Sequence, residues 1–205
     1  GTVLVMLDVE GEIPELAHHN FLFSDDWSDD FDAVFNGPVA SRPQAASQSI
    51  YVSKPSATDP SVAPVGHENL FVLVPVPADP SVGHGDMYRG GASEQVQRIA
   101  DAAIEQIAAR CGIAGLGRRI VVKQTLGPAD FAERYNAWSG GSIGPAHTLR
   151  QSAFLRGSNK SRKAGNLLYA GATTTPGVGV PMCLISAENV LKRIRADRSS
   201  GPLQA

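Results

Sequence analysis

The sequence predicts a fold that contains both helices and strands, α/β in the broad sense and α+β in the narrow one. A mixed β-sheet is followed by a terminal strand, turn and helix. Short apolar runs rich in β-branched residues fill the first third, at residues 3–7, 19–23, 49–53 and 69–76, and this composition is typical of strands. A helical period begins near residue 93, and a glycine-rich turn comes near the end. The combination favours a mixed fold over an all-helical one.

One long helix is predicted from an apolar stripe that follows Ser93. The stripe consists of Val96, Ile99, Ala100, Ala103, Ile104, Ile107, Ala108 and Cys111. Its spacing is that of one helix face, with Ser93 able to cap the start and Gly112 able to end it. We therefore expect Cys111 to pack against the core. Residues 119–125 then read as a strand and 128–138 as a shorter helix.

The end of the chain carries the most informative pattern. The run 166–170 is a strand candidate, the glycine-rich turn covers 171–181, and an apolar helical pattern runs from Pro181 through Ile194. A helix N-terminus after such a turn presents free N–H groups with partial positive charge. The segment therefore predicts a docking site for an anion or a dipole. The Pro-rich stretch 54–66 is expected to be a loop held by its neighbours.

The composition of the chain excludes several classes of protein. The 205 residues carry a formal net charge of −2, which argues against a generic nucleic-acid binder. Two cysteines make no disulfide framework, so a reducing compartment is expected. The sequence contains neither a membrane-spanning apolar run nor the basic start of a signal peptide. Residues 1–90 have a balance of −10 and residues 91–205 one of +8, which indicates either an anionic partner or complementary packed faces.

Several motifs are weighed and set aside. The run 140–144 matches G-x-S-x-G, but a helix precedes it and Pro145 follows, unlike a nucleophile elbow. Asp25, Asp26 and Asp29 match a D-D-x-x-D magnesium motif, yet an acid-rich helix N-terminus explains them more simply. The histidines and cysteines lack metal-ligand spacing, so no metal site is expected. No G-x-G-x-x-G follows a strand.

A basic stretch precedes the glycine-rich turn. Its members are Arg150, Arg156, Lys160, Arg162 and Lys163. The stretch could hold a phosphate or an anionic lipid surface, or it could be a solvated loop. The spacing does not choose between these interpretations.

Five motifs occur in order along the chain: residues 16–20, 56–70, 72–77, 130–136 and the closing turn, with the similarity spanning about residues 2–195. As a set, these motifs resemble the C-terminal part of bacterial phytoene desaturases, a family of FAD-dependent carotenoid oxidoreductases related in fold to amine oxidases. The turn is similar to the family's closing signature at Gly171, Ala172, Thr174, Pro176, Gly177, Gly179, Val180 and Pro181. It departs from that signature at Thr173, Thr175, Val178 and Met182. Asp8 stands where the family usually has a small residue.

The resemblance implies a function and a division of the chain. Residues 1–160 would be part of a substrate domain whose sheet walls a tunnel for a long apolar, phytoene-like polyene. Residues 161–205 would be the returning strand, turn and helix of a Rossmann-like FAD domain, and the eight matching turn residues would bind FAD. The implied reaction adds conjugated double bonds, and no catalytic residue is identified.

The same resemblance implies partners. An N-terminal Rossmann half would complete the FAD site, so this segment alone is expected to be inactive. A cytoplasmic location with peripheral contact to a membrane surface is expected, without nucleic acid. A related carotenoid isomerase or ketolase, or a non-enzymatic isoprenoid or lipid binder, stays open as an alternative.

Overall fold

Five strands form one antiparallel sheet within the part of the chain that the structure, a computed structural model, describes: residues 1–152 and 155–203. The strands are β1 (Thr2–Glu10), β2 (His19–Leu22), β3 (Ile50–Ser53), β4 (His67–Pro75) and β5 (Ile120–Leu126). Their order is β2-β3-β4-β1-β5. The chain divides into two compact units, Gly1–Ser142 and Ile143–Ala205, and the sheet lies in the first.

The prediction of a mixed sheet is wrong, because every pair of neighbouring strands is antiparallel. The physical reason is the position of β1. A helical crossover joins β4 to β5 and leaves these two strands parallel to each other, but β1 lies between them and runs the opposite way. The coarser prediction of an α+β fold is confirmed.

The crossover helix covers one face of the sheet. The fold has helices α1 (Trp27–Asn36), α2 (Glu94–Cys111), α3 (Leu116–Arg119), α4 (Pro128–Tyr135) and α5 (Val180–Ile194). The apolar stripe of α2 is buried from Val96 to Ile107, as predicted, and each large side chain so buried stabilises the fold by roughly 1.5–3 kcal/mol. Gly112 ends the helix in the left-handed conformation at φ 70°.

Two details of the helices differ from expectation. Ser93 occupies the N-cap position of α2, but its hydroxyl donates to the His84 carbonyl instead of capping the helix. Helix α4 stops three residues earlier than predicted, because Asn136 adopts a left-handed conformation at φ 50°.

The Pro-rich loop is held by its neighbours, as predicted, since the Ser56 hydroxyl donates to the Glu68 carboxylate and the Thr58 hydroxyl is hydrogen-bonded to the His18 ring. It forms two short 3₁₀ turns, Pro55–Ala57 and Pro60–Val62. The Asn69 side chain accepts a hydrogen bond from the Ser56 N–H and donates one to the Val62 carbonyl. These two hydrogen bonds attach both short turns to strand β4.

The strand predicted at 166–170 does not form. The segment makes an isolated bridge between Lys160 and Leu168, since a strand needs a partner and the described residues of the second unit offer none longer than this bridge. The predicted functional boundary at residue 160 stays a prediction. In residues 1–152 and 155–203, no helix has the length and hydropathy to cross a membrane.

Candidate functional site

The glycine-rich turn of the second unit depends on backbone conformations that favour glycine. Gly171, Gly177 and Gly179 have φ values of 117°, 153° and 108°, in the region that other residues rarely adopt. A β-carbon placed on any of the three would meet no described atom within 4 Å. Glycine is therefore required by conformation, and the backbone surface at these positions is open to a ligand.

Helix α5 begins directly after this turn without a side-chain cap. Gly179 occupies the N-cap position and has no side-chain hydrogen bond to offer, and Pro181 lies in the first turn. The first N–H groups of a helix lack intrahelical acceptors and carry partial positive charge. The N-terminus of α5 can therefore accept an anion or the negative end of a dipole.

A buried polar network fixes the turn to α5. The Asn159 Nδ2 atom lies 3.0 Å from the Ser186 Oγ atom and 3.2 Å from the Thr174 Oγ1 atom. Ser186 also accepts a 3.0 Å hydrogen bond from the Gly171 N–H. These three side chains are at most 5% exposed. Because buried polar groups are costly without partners, the network specifies one conformation of the turn.

Arg156 supports the other side of the turn. Its guanidinium is almost fully buried and donates to the Ala172 carbonyl at 2.9 and 2.6 Å, with longer contacts to the Ile143 and Gln151 carbonyls. Carbonyl oxygens satisfy this cation, so Arg156 is a structural residue and not a free phosphate ligand.

Three other basic residues of the predicted stretch line a groove, whereas Arg150 is not part of its described lining. Its volume is about 1200 Å³. The exposed cations that line it are Lys160, Arg162, Lys163 and Arg193. Two further cations of the groove are engaged by carbonyl groups: Arg156, as described above, and Lys192, which donates to the Ser199 and Gly201 carbonyls. Asp197 is the acidic residue in the described lining, so the groove has a strong positive charge.

The structure places all eight predicted cofactor residues in this one segment. Their environments differ, because Thr174 points into the network whereas Val180 is 75% exposed. Sequence reasoning missed Asn159, Ser186 and the structural role of Arg156. Ser186 offered a signal, as a small polar residue inside an apolar helix. Helix α5 buries this serine and exposes Leu184 and Ile194, so its apolar side lacks cover within the described residues of the second unit.

A second candidate site is the face of the sheet opposite α2, here called the open face. It includes Leu4, Met6, Asp8 and Glu10 of β1, His67, Asn69, Phe71 and Leu73 of β4, Tyr51 and Ser53 of β3, His19 and Phe21 of β2, and Val122, Gln124 and Leu126 of β5. A cavity of about 480 Å³ lies on it. That volume is within the range of small-molecule sites.

The open face has an apolar end and a polar end. The strand register aligns Leu4 with Leu73, and Leu73 with Tyr51. Four residues further along β1, Asp8 is aligned with Asn69, and this pair marks the polar end. Aromatic contacts continue the apolar end beyond the sheet, since Phe21 stacks on Phe23 with ring centroids 6.1 Å apart. The face can therefore hold an extended apolar molecule.

The aspartates at the start of α1, which include the D-D-x-x-D match, are structural, and Asp29 accepts a hydrogen bond from the Ser41 hydroxyl. Asp26 caps the helix by accepting from the Ser28 and Asp29 N–H groups. Asp30 is buried and pairs with the Arg42 Nε atom at 2.8 Å. Desolvation acts to raise the pKa of Asp30, but hydrogen bonds from Ser24, Ser49, Gln48 and Arg42 outweigh it and hold the pKa far below its usual range. Among the described residues, no group of three potential metal ligands occurs.

The G-x-S-x-G match does not form a nucleophile elbow. Residues 140–144 follow a 3₁₀ turn, Trp138–Gly140, and no strand-turn-helix surrounds Ser142 in the described residues. The match is therefore part of a loop, as the sequence indicated.

Comparison with known proteins identifies relatives, although no family model matches the chain. The chain is 41% identical over 194 residues to a carotenoid 3,4-desaturase of Haloarcula japonica, covering 95% of the chain and 36% of the relative. It is 33% identical to a zeta-carotene-forming phytoene desaturase of Myxococcus xanthus, covering 93% and 35%. A 4,4'-diapophytoene desaturase of Staphylococcus aureus is also 33% identical, covering 89% and 35%.

The chain thus spans about a third of the length of the curated relatives that it matches. These matches cover nearly all of the chain. The chain belongs to the phytoene and carotenoid desaturase family and corresponds to the C-terminal part of its members.

Proposed function

We propose that this chain is the C-terminal part of an FAD-dependent oxidoreductase that introduces conjugated double bonds into a carotenoid precursor. The observation that carries the proposal is the similarity over 95% of the chain to a protein named carotenoid 3,4-desaturase. The open face supports it, because Met6, Phe71 and Leu73 offer an apolar surface on which a long polyene would lose water contact favourably.

The residues of the glycine-rich turn fit a flavin cofactor. Gly171, Gly177 and Gly179 leave their backbone open to a ligand, and α5 offers uncapped N–H groups to an electron-rich edge. In this proposal, FAD is held by Gly171, Ala172, Thr174, Pro176, Gly177, Gly179, Val180 and Pro181. When bound, FAD accepts the hydride that leaves the substrate.

The chain's own residues orient and shield this site. Asn159 and Ser186 keep the turn fixed against α5 through hydrogen bonds of about 3.0 Å. No side chain is assigned as the acid or base of the reaction. We propose that a Rossmann-like N-terminal half, with the phosphate-binding turn that residues 1–205 lack, completes the FAD domain to which 161–205 contribute.

We also propose peripheral membrane contact for a cytoplasmic protein, since a long polyene has to be taken from a lipid phase. The basic groove is the surface that supports this contact. Its lining includes four exposed basic residues, Lys160, Arg162, Lys163 and Arg193. Each basic residue near an anionic bilayer contributes roughly 1 kcal/mol to the free energy of binding.

The test is the flavin absorbance spectrum after incubation with FAD and gel filtration. The chain alone should retain little flavin, whereas a protein extended upstream to the start of the gene should retain it. Gly179→Ala in the extended protein should weaken retention. Gly66→Ala is the matched control, because Gly66 also has a positive φ of 79° and open space but lies in the first unit.

Three outcomes are informative. Retention only by the extended protein supports an FAD site completed by the turn. Retention by neither protein contradicts the oxidoreductase and favours the isoprenoid binder. If the extended protein retains flavin, it is then incubated with a carotenoid precursor. A product without a new double bond would identify the protein as a related isomerase or ketolase.

A further inference from the structure

We propose that the exposed aromatic side of α1 is a docking site for a basic amphipathic helix of a partner protein. This side, here called the aromatic ridge, consists of Trp27, Phe31 and Phe35. It lies outside the glycine-rich turn and the basic groove, so the docking site goes beyond the proposed function. Three observations support it: the exposure of the ridge, a small apolar cavity beside it, and the charge of the residues around it.

The aromatic ridge is a continuous stripe of large apolar side chains. Its three residues are spaced by four positions, so they lie on one face of α1, and they are 55%, 59% and 60% exposed. The ring centroids of Phe31 and Phe35 are 6.3 Å apart, and those of Trp27 and Phe23 are 5.6 Å apart. Rings that already pack against each other lose little freedom on binding. Such a contiguous exposed apolar patch marks an interaction surface.

A cavity of about 240 Å³ lies beside the ridge. Its apolar lining residues are Phe23, Trp27, Phe31, Val34, Phe35 and Pro75. The polar groups of the lining are engaged with each other, because the Ser49 hydroxyl donates to Asp30 and the Ser47 hydroxyl donates to the Ser49 carbonyl. The volume is below the roughly 300–1,000 Å³ of small-molecule sites. The cavity therefore suits one apolar side chain of a partner, the kind of anchor that dominates protein interfaces.

The ridge is surrounded by negative charge. Residues 25–36 contain five aspartates and neither lysine nor arginine. Two of the five are balanced by arginines, through the pairs Asp30–Arg42 and Asp25–Arg110. Within residues 1–152 and 155–203, the other three form no ion pair: Asp26, Asp29 and Asp32. The apolar stripe is thus bordered by uncompensated carboxylates.

This charge selects the occupant of the ridge. A bilayer is disfavoured, because the carboxylates would be drawn toward its hydrocarbon or toward its anionic headgroups. A second copy docked ridge to ridge would bring like charges together. A helix with apolar anchors and lysine or arginine along its edges meets both the stripe and its border, and a helix laid into an apolar groove is a recurring mode of recognition.

The test uses two fluorescein-labelled synthetic peptides with the same amphipathic leucine pattern, one with lysine and the other with glutamate at the polar positions. Binding to the full chain is measured by fluorescence anisotropy. The lysine peptide should bind at least about tenfold more tightly than the glutamate peptide, because only its charge complements the border of the ridge. Raising the salt concentration should reduce this difference.

Two variants separate the two parts of the site. Phe31→Ser removes an anchor contact and should weaken binding of the lysine peptide about tenfold or more. Asp29→Asn combined with Asp32→Asn keeps the shape of the border and removes two charges, so it should weaken binding and flatten the salt dependence.

Tyr135→Ser is the matched control. Tyr135 lies on α4 and is 59% exposed, as is Phe31, and its removal should leave the affinity for the lysine peptide unchanged. Thermal unfolding followed by circular dichroism checks that each variant is folded.

Weaker binding in Phe31→Ser but not in Tyr135→Ser supports the docking site. Equal affinity for the two peptides, binding of neither, or the same loss in both serine variants would overturn it. Wild-type sedimentation with phosphatidylcholine vesicles that Phe31→Ser abolishes would show that lipid covers the ridge, and a dimer that Phe31→Ser converts to a monomer would show that a second copy does. Either result would also overturn the inference.

Discussion

Removal of the Asp30 carboxylate should destabilise the first unit strongly. Asp30 accepts hydrogen bonds from the Ser24 and Ser49 hydroxyls at 2.5 and 2.6 Å, and from the Gln48 and Ser49 N–H groups at 2.9 and 3.1 Å. It also pairs with Arg42, which is only 7% exposed. Asp30→Ala leaves this guanidinium buried without its counter-charge.

The expected loss is about 3–5 kcal/mol, the range for breaking a buried pair by removing one partner. A domain has an unfolding free energy of only about 5–15 kcal/mol, so the variant should be close to unfolding. Urea denaturation at pH 7, followed by circular dichroism, measures the difference. Asp25→Ala is the matched control, because the Asp25 side chain is fully exposed and should change the value by no more than about 0.5 kcal/mol.

The effect should depend on pH in a definite direction. The folded-state pKa of Asp30 is lowered, so its contribution is complete above the unfolded carboxyl pKa of about 4 and is lost as pH falls toward the folded value. The difference between wild type and Asp30→Ala should therefore shrink below pH 4. A loss below about 1 kcal/mol at pH 7, or a difference that grows in acid, would refute the reasoning. Stabilisation of the wild type by added Mg²⁺ would contradict the assignment of Asp25, Asp26 and Asp29 as structural residues.

Two further predictions concern the second unit. Asn159→Ala should lower the unfolding free energy of this unit by about 1–3 kcal/mol, because the buried hydroxyls of Thr174 and Ser186 lose a partner; limited proteolysis of the turn would report it, and unchanged cleavage would contradict it. Replacing Lys160 and Lys163 by glutamine should reduce sedimentation with anionic phosphatidylglycerol vesicles and leave neutral vesicles unaffected, whereas equal sedimentation with both lipids would contradict the membrane role of the groove.

Elements with a strong apolar period could be predicted from the sequence. The stripe from Val96 to Ile107 is buried as predicted, since an 18-residue amphipathic helix has one way to hide its apolar face. Gly112 ends that helix for a local reason, its left-handed φ. The glycine-rich turn and the helix after it could also be predicted, because glycine and proline influence the backbone conformation independently of distant contacts.

Features that depend on contacts between distant segments could not be predicted from local sequence patterns. The antiparallel sheet follows from the insertion of β1 between β4 and β5, which no local pattern records. The buried partners of Asp30, the network around Asn159 and the contact between Asp8 and His67 join residues up to 59 positions apart. Their side chains look like ordinary surface polar residues in the sequence, because burial and partner are properties of the fold and not of the residue.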